Sequence, residues 1–162
     1  MFSLLQRECT IVSVNPRVER HGDETVPACD LFLGFTGSND ILSEFHPSLK
    51  SSLYSRPDEP DMADEPGYLP RLKFQHIGPV KWGQEHVGYR MVIHNEIDPR
   101  RDREVDLCDI SKVVFKCHDG GSVETRLKVA MKAPEELVGW LCSHISSGVS
   151  VSLIPPSSGE IE

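Results

Sequence analysis

Hydrophobic and polar residues alternate most regularly between Val105 and Met131. In the second half of this segment, every second position is occupied by one of Val123, Thr125, Leu127, Val129 and Met131. A period of two places such residues on one side of a β-strand. The turn Asp119-Gly120-Gly121 lies between two β-patterned runs, and its glycines can take a positive φ without strain. The segment therefore predicts an antiparallel hairpin with one face in a core.

Similar patterns elsewhere predict five more strands. They cover Glu8–Val14, Ala28–Thr36, Leu69–Ile77, Gly88–His94 and Val149–Leu153. The polar link between the first two contains the turn formers Asn15-Pro16 and Gly22-Asp23. We therefore expect a long loop over residues 15–27.

Helical spacing of apolar residues occurs in two places. The first helix follows Ser38 or Asn39 as its cap, and Pro47 should divide it into two short pieces. The second begins at Pro134 and should end at Gly148, a favourable residue for a C-terminal cap. Its apolar stripe consists of Leu137, Val138, Leu141 and Ile145.

These elements predict a mainly β (α+β) fold with about seven strands and two helical segments. An antiparallel β-sandwich or a partly closed barrel accommodates them, with the helices over its open ends. The length favours one domain over residues 1–156. Residues 56–68 contain three prolines and should form an exposed, mobile loop, and residues 157–162 should form a flexible acidic tail.

The charge balance narrows the classes of partner. The chain has 162 residues, of which 17 are basic and 25 acidic, and its formal net charge is −8. Such a charge opposes non-specific attraction to phosphate backbones and anionic membranes. Five cysteines without a close-spaced pair are typical of reduced, buried thiols, and no apolar run is long enough to cross a bilayer. We expect a soluble intracellular protein.

Recognisable catalytic motifs are absent from the sequence. The histidines and cysteines lack the paired spacing of a zinc site, and there is neither a nucleophile elbow nor a phosphate-binding glycine loop. The sequence thus predicts a protein that binds rather than catalyses, without a metal or a cofactor.

Two charged loops are the candidate protein-binding surfaces. The loop over residues 56–68 is either a solvated linker or a mimic of spaced phosphates that attracts a basic groove. Its acids are Asp58, Glu59, Asp61, Asp64 and Glu65. A second polar loop over residues 95–104 carries Arg100, Arg101 and Arg103, whose guanidinium groups can bind carboxylates or phosphates.

The segment from Arg71 to Arg90 supports an alternative, the binding of single-stranded nucleic acid. Basic residues there neighbour aromatic ones, a combination that follows the backbone and stacks on bases. The residues are Lys73, Phe74, Lys81, Trp82, Tyr89 and Arg90. The competing interpretation is simple strand alternation, with the rings in the core and the charges in water.

Five blocks of the chain, taken together and in order, resemble a family of small proteins encoded by tailed bacteriophages and prophages. The blocks are HGDETVPACDL (His21–Leu31), SNDILSEFHPSLKSSLY (Ser38–Tyr54), GPVKW (Gly78–Trp82), HDGGSVE (His118–Glu124) and SLIPP (Ser152–Pro156). The resemblance implies expression in an infected bacterium, where accessory proteins serve phage DNA metabolism or counter host defence.

The sequence therefore favours a phage accessory protein that binds a host or phage protein, for example an enzyme that acts on DNA, and so inhibits or modulates it. Two alternatives stay open: a single-stranded nucleic-acid binding protein of phage replication or recombination, and a structural subunit of the virion. Edge strands that pair across a symmetry axis would give a homodimer.

Overall fold

The computed structural model describes residues 2–157. Residues 158–162 of the expected flexible tail lie outside this range, as does Met1. The long strands are β1 (Leu4–His21), β2 (Glu24–Ser38), β6 (His86–His94), β7 (Arg103–Cys117), β8 (Ser122–Lys132) and β9 (Gly148–Ile154). The short ones are β3 (Tyr54–Ser55), β4 (Arg71–Leu72) and β5 (Val80–Trp82). The helices are α1 (Ile41–Phe45), α2 (Leu49–Leu53) and α3 (Glu135–Ser143), with a 3-10 turn at Pro99–Arg101.

Six antiparallel strands form a closed barrel, which confirms the mainly β prediction and selects the barrel over the sandwich. The strands follow one another around the barrel in the order β7, β6, β9, β1, β2 and β8, and β8 pairs with β7 to close it. The short strand β5 pairs with the C-terminal part of β7, on the edge whose N-terminal part pairs with β6. The strands β3 and β4 form a separate two-stranded sheet. Inward-facing side chains alternate along every long strand and fill the barrel interior, as Leu31, Leu33 and Leu127 illustrate with at most 1% exposure.

The prediction of a long loop over residues 15–27 is wrong. Backbone pairing continues from Pro16 opposite Cys29 to His21 opposite Glu24, and the connection is only Gly22-Asp23, with Gly22 at a φ of +66°. Pairing of β1 with β9 ends at Thr10, so the outer half of β1 has a free edge. A proline is tolerated on such an edge because no partner strand needs its missing N–H.

Two other element boundaries differ from the sequence prediction. The expected strand over residues 69–77 shrinks to β4, because Phe74 begins a turn in which its carbonyl accepts a hydrogen bond from the Ile77 N–H. The helix α3 ends at Ser143 rather than Gly148. Ser146 takes a φ of +72° there, and its N–H donates to the Ile11 carbonyl, so the turn is attached to β1.

The predicted division at Pro47 is confirmed by α1 and α2, which cover one end of the barrel, named here the loop end. An aromatic cluster closes this end: Phe45 stacks on Phe2 at 4.4 Å between ring centroids and meets Phe115 edge to face at 4.9 Å. The opposite end, named here the helix end, is covered by α3, whose Leu137, Leu141 and neighbouring Val138 belong to the core.

The loop over residues 56–68, named here the acidic loop, is attached to the loop end by hydrogen bonds to the residues that follow it. The buried Asn39 amide donates to the Leu69 carbonyl over 2.7 Å, and the Gly120 N–H donates to the Pro70 carbonyl over 2.8 Å. Asp119, in the predicted hairpin turn, accepts from the Leu72 N–H and from Arg71. Among residues 2–157, no helix is both long and apolar enough to span a bilayer.

Candidate functional site

A cleft of about 350 Å³ opens at the helix end, between the loop over residues 95–102 and the C-terminal half of α3. It lies where β6 ends and β7 begins, since Ile93 is opposite Arg103 in the sheet. We call it the arginine cleft. Its principal side chains are Glu8, His94, Ile97, Arg101, Arg103, Trp140 and His144.

Arg103 lies against the indole of Trp140, with its guanidinium carbon 4.7 Å from the ring centroid. His144 stacks on the same indole at 4.0 Å between centroids, and its Nδ1 lies 2.7 Å from the Trp140 carbonyl oxygen. Cation–π contact of this kind is worth about 0.5–2 kcal/mol and restricts the arginine side chain. Arg103 is therefore held in a defined orientation before any ligand arrives.

Neither Arg101 nor Arg103 forms an ion pair within residues 2–157, although acidic residues outnumber basic ones in the chain. The buried Nε of Arg103 also has no hydrogen-bond acceptor in the described part of the chain. Without a carboxylate partner, the guanidinium groups of Arg101 and Arg103 keep their hydrogen-bonding capacity for an incoming oxyanion. The cleft thus offers two guanidinium groups to a carboxylate or a phosphate.

Hydrogen bonds make the 95–102 loop rigid. The Asn95 side chain accepts from the N–H groups of Ile97 and Asp98, each over 3.0 Å, and Asp98 accepts from the N–H of Arg100. Asp102 accepts from the N–H of Asn95 over 2.7 Å. The loop consequently presents Ile97, which is 96% exposed, at the rim of the cleft on a fixed backbone.

A chain of hydrogen bonds joins this loop to the barrel wall. His94 places Nδ1 3.3 Å from an Asp102 oxygen and Nε2 2.7 Å from the Ser152 hydroxyl oxygen. The Ser152 hydroxyl, the His94 imidazole and the Asp102 carboxylate are thus hydrogen-bonded in the same order as the catalytic groups of serine hydrolases. Ser152 is only 3% exposed, however, and its oxygen also accepts the Gln6 N–H over 2.9 Å. Its position is that of a brace between β9, β6 and the loop, with little access for a substrate.

The thiols offer little nucleophilic chemistry. Burial raises the pKa of Cys9 and of Cys108 to about 12, so both are protonated at neutral pH. All five cysteines are free, and four of them are buried. Within residues 2–157, no three His, Cys, Asp or Glu side chains are grouped to hold a metal ion.

The three predicted arginines separate in the structure. Arg101 and Arg103 line the cleft, whereas Arg100 does not. The Arg100 side chain is 91% exposed and pairs with Asp98 over 3.1 Å. The neighbours Arg100 and Arg101 therefore form a natural pair for comparison, one outside the cleft and one inside it.

The acidic loop lies at the other end of the barrel from these arginines. It is tied to the β7–β8 turn at Gly120, whereas Arg103 begins β7. At about 3.3 Å per residue, the 15 residues of β7 span up to about 50 Å along the chain. The two predicted protein-binding surfaces consequently lie at opposite ends of the barrel and do not form one continuous surface.

The acids of the loop also differ among themselves. Asp61 and Asp64 accept hydrogen bonds from backbone N–H groups of the loop, and Asp58 lies 3.7 Å from Arg71. Glu59 and Glu65 are exposed and form no side-chain hydrogen bond or ion pair within residues 2–157. Between them Met62 is fully exposed, at 103%.

The residues suggested for nucleic-acid binding do not form one stacking surface. Tyr89 is 1% exposed and its hydroxyl donates to the Phe2 carbonyl, so the ring has no face for a base. Trp82 is half-buried against Phe45. Phe74 is 57% exposed, with Lys73 donating to the Ser51 carbonyl beside it. Lys81 is exposed, and Arg90 pairs with Asp106 over 2.8 Å.

Sequence patterns did not identify Trp140 or Ile97 as site residues. Trp140 falls outside the apolar stripe of α3, and Ile97 is an apolar residue within a polar loop; both departures from pattern are visible in the sequence. Their proximity to the arginines depends on how α3 folds over the barrel end. No family model, curated protein or solved structure matches this chain.

Proposed function

We propose that this protein acts by binding, and that the arginine cleft engages an acidic segment of a partner protein without catalysis. The main support is the pair Arg101 and Arg103, which line the cleft of an acidic chain and form no ion pair among residues 2–157. A carboxylate can bind such guanidinium groups through two parallel hydrogen bonds.

The composition of the cleft supports a protein partner. Tryptophan and arginine dominate the energetics of protein interfaces, and an exposed apolar side chain beside them gives a partner something to bury. Trp140, Arg103 and the exposed Ile97 provide that combination on a rigid loop. The carboxylates of Glu8 and Glu96 in the same cleft would repel a continuous phosphate backbone and so favour a protein segment as the partner.

The biological setting is a second part of the proposal. The resemblance of five sequence blocks to bacteriophage and prophage proteins supports expression in the cytoplasm of a bacterial host. There the protein would modulate a host or phage protein, in DNA metabolism or in countering host defence. The partner's own chemistry, an exposed acidic segment with an apolar neighbour, is what the cleft requires of it.

Affinity capture with a matched pair of charge reversals tests the binding proposal. The tagged chain, Arg101→Glu and Arg100→Glu would each be incubated with nuclease-treated bacterial lysate, and the bound proteins identified by mass spectrometry. Both variants change the charge equally, but only Arg101 lines the cleft. We expect the unmodified chain and Arg100→Glu to capture the same defined protein. The amount captured by Arg101→Glu should be lower by at least about tenfold.

Equal amounts of the captured protein on all three baits would show that the cleft does not bind it. A parallel capture from untreated lysate serves as comparison, and material recovered there but absent after nuclease treatment would instead favour the nucleic-acid alternative. Circular dichroism of each bait before capture ensures that a loss reflects binding rather than folding.

A further inference from the structure

The two charged surfaces lie at opposite ends of one barrel and have complementary chemistry. The helix end presents Arg101 and Arg103 beside the exposed Ile97. The loop end presents Glu59 and Glu65 on either side of the exposed Met62. Because hydrogen bonds hold the loop at one end of β7 and the cleft lies at the other, a loop stays away from the cleft of its own barrel.

We propose that the acidic loop of one copy docks into the arginine cleft of a second copy, so that the protein assembles head to tail. This rests on the proposed function, since it uses the same cleft and names one partner for it. Glu59 and Glu65 supply the carboxylates for the two arginines, and Met62 packs on Ile97 and the rim of Trp140.

The shape of the loop suits this role. Met62 lies in a turn closed by the Asp64 N–H donating to the Asp61 carbonyl over 3.0 Å, which places it at the tip. Lys50 donates to the Gly67 carbonyl over 2.6 Å and fixes the loop at its base. The side chain of Met62 is flexible and polarizable, so it can fill an irregular apolar rim. A tethered tip loses less conformational entropy on docking than a free segment does.

The two surfaces differ, so the contact is heterologous. Such a contact leaves one loop and one cleft unused in every dimer, and assembly continues until a ring closes or a filament grows. The net charge of −8 on each copy opposes association overall. Local attraction between loop and cleft must exceed that repulsion, and because it acts between partly exposed charges, added salt will weaken it.

Sedimentation velocity of complementary variants tests the proposal. One variant, Arg101→Glu, keeps the loop and loses the cleft; the other, Glu59→Gln/Glu65→Gln, keeps the cleft and loses the loop. At low salt we expect the unmodified chain to form species beyond a dimer as its concentration rises. Each variant alone should stay at the 18.1 kDa mass of one chain.

Mixing the two variants gives the decisive result. One good interface remains, formed by the loop of the first variant and the cleft of the second, so the mixture should form a dimer and stop there. A monomeric unmodified chain overturns the proposal, as does a mixture that stays monomeric or variants that assemble alone. Controls are Arg100→Glu and Glu24→Gln/Glu85→Gln, which change exposed charges outside both surfaces and should assemble like the unmodified chain.

Comparison with the lysate capture separates the two proposals. Suppose that the unmodified chain stays monomeric in sedimentation, captures a protein from the lysate, and no longer captures it once Arg101→Glu is introduced. The cleft then binds another protein, and the self-assembly proposal is wrong. If the chain assembles as described and captures nothing, the cleft serves assembly and the external partner is wrong.

Discussion

The two ends of the barrel are closed in different ways. At the loop end, Phe2, Phe45 and Phe115 form an aromatic cluster, and hydrogen bonds from Asn39 and Gly120 hold the covering segment down. At the helix end, α3 covers the core, but Arg101 and Arg103 stay without acidic partners in the described chain. One end devotes its side chains mainly to stability, whereas the other leaves charged groups available for recognition.

Stability and binding should therefore respond to substitutions at different ends of the barrel. Residues of the loop end that face the core should affect the free energy of unfolding, and Arg101 should affect binding alone. The exposed tip of the acidic loop is the exception at its own end, because Met62 contributes nothing to the core. The following substitutions probe that separation, in order of expected effect.

The largest effect should come from Phe115→Ala at the loop end. Phe115 is fully buried on β7 and contacts Phe45. Removing a buried aromatic ring should lower the free energy of unfolding by about 3–5 kcal/mol. Urea denaturation followed by tryptophan fluorescence measures the change. Leu107→Ala, at a side chain that is 79% exposed, serves as control and should change stability by less than about 0.5 kcal/mol. A small effect at Phe115 would mean that the aromatic cluster does not hold this end.

Asn39→Leu should have the next largest effect. The buried Asn39 amide donates to the Leu69 carbonyl, and its loss leaves that carbonyl without its donor at a cost of about 1–3 kcal/mol. The acidic loop would also be released, so limited proteolysis should cut faster within residues 56–68. Asn15→Leu, at an exposed asparagine, is the control. Unchanged proteolysis would contradict the tethering of the loop by Asn39.

Ser152→Ala should be milder and should act at the helix end. It removes the hydroxyl that lies between His94 and the Gln6 N–H, at a cost of about 0.5–1.5 kcal/mol. Ser150→Ala, on the same face of β9 and without a side-chain hydrogen bond in residues 2–157, should be nearly neutral. Hydrogen exchange of the 95–102 loop should accelerate only in Ser152→Ala. Equal protection in both variants would show that the brace is dispensable.

The smallest effect should be a pH dependence at the loop end. Burial lowers the pKa of His86 below its ordinary value of 6.5. Below that value the unfolded chain binds a proton more readily than the folded chain, so stability falls as the pH decreases from about 6.5. The substitution His86→Phe keeps the ring contacts with Phe2 and Phe45 and should reduce this loss. Urea denaturation midpoints at pH 7.5 and pH 5.5 measure the loss of stability. An equal change of midpoint between the two pH values in the unmodified chain and in His86→Phe would exclude His86 as the cause.

The strands and helices were largely predictable because their signals are local. Alternation after Gly121 located β8, and Pro47 separated α1 from α2, since a proline inside a helix removes a donor whatever surrounds it. The prediction was wrong where distant contacts decide. Residues 15–27 resemble a loop in isolation, yet β1 and β2 pair through them, and the end of α3 is set by a bond from Ser146 to Ile11.

The candidate site was predictable only in part. The cluster of charge at residues 100–103 predicted Arg101 and Arg103 as binding residues. It predicted Arg100 equally, although the Arg100 side chain pairs with Asp98 and lies outside the cleft. Trp140 reaches Arg103 across 37 positions of the sequence, which no spacing rule detects. The separation of the acidic loop from the arginines likewise depends on the direction of β7.

The mainly β character, the hairpin at Asp119-Gly120-Gly121 and the overall negative charge can thus be derived from the amino-acid sequence. These follow from side-chain size, polarity and backbone freedom at neighbouring positions. Closure of the barrel, the contact of Arg103 with Trp140, and the placement of the acidic and basic loops at opposite ends require the folded structure. Those features depend on pairing and packing between residues far apart in the chain, whose energies no local pattern contains.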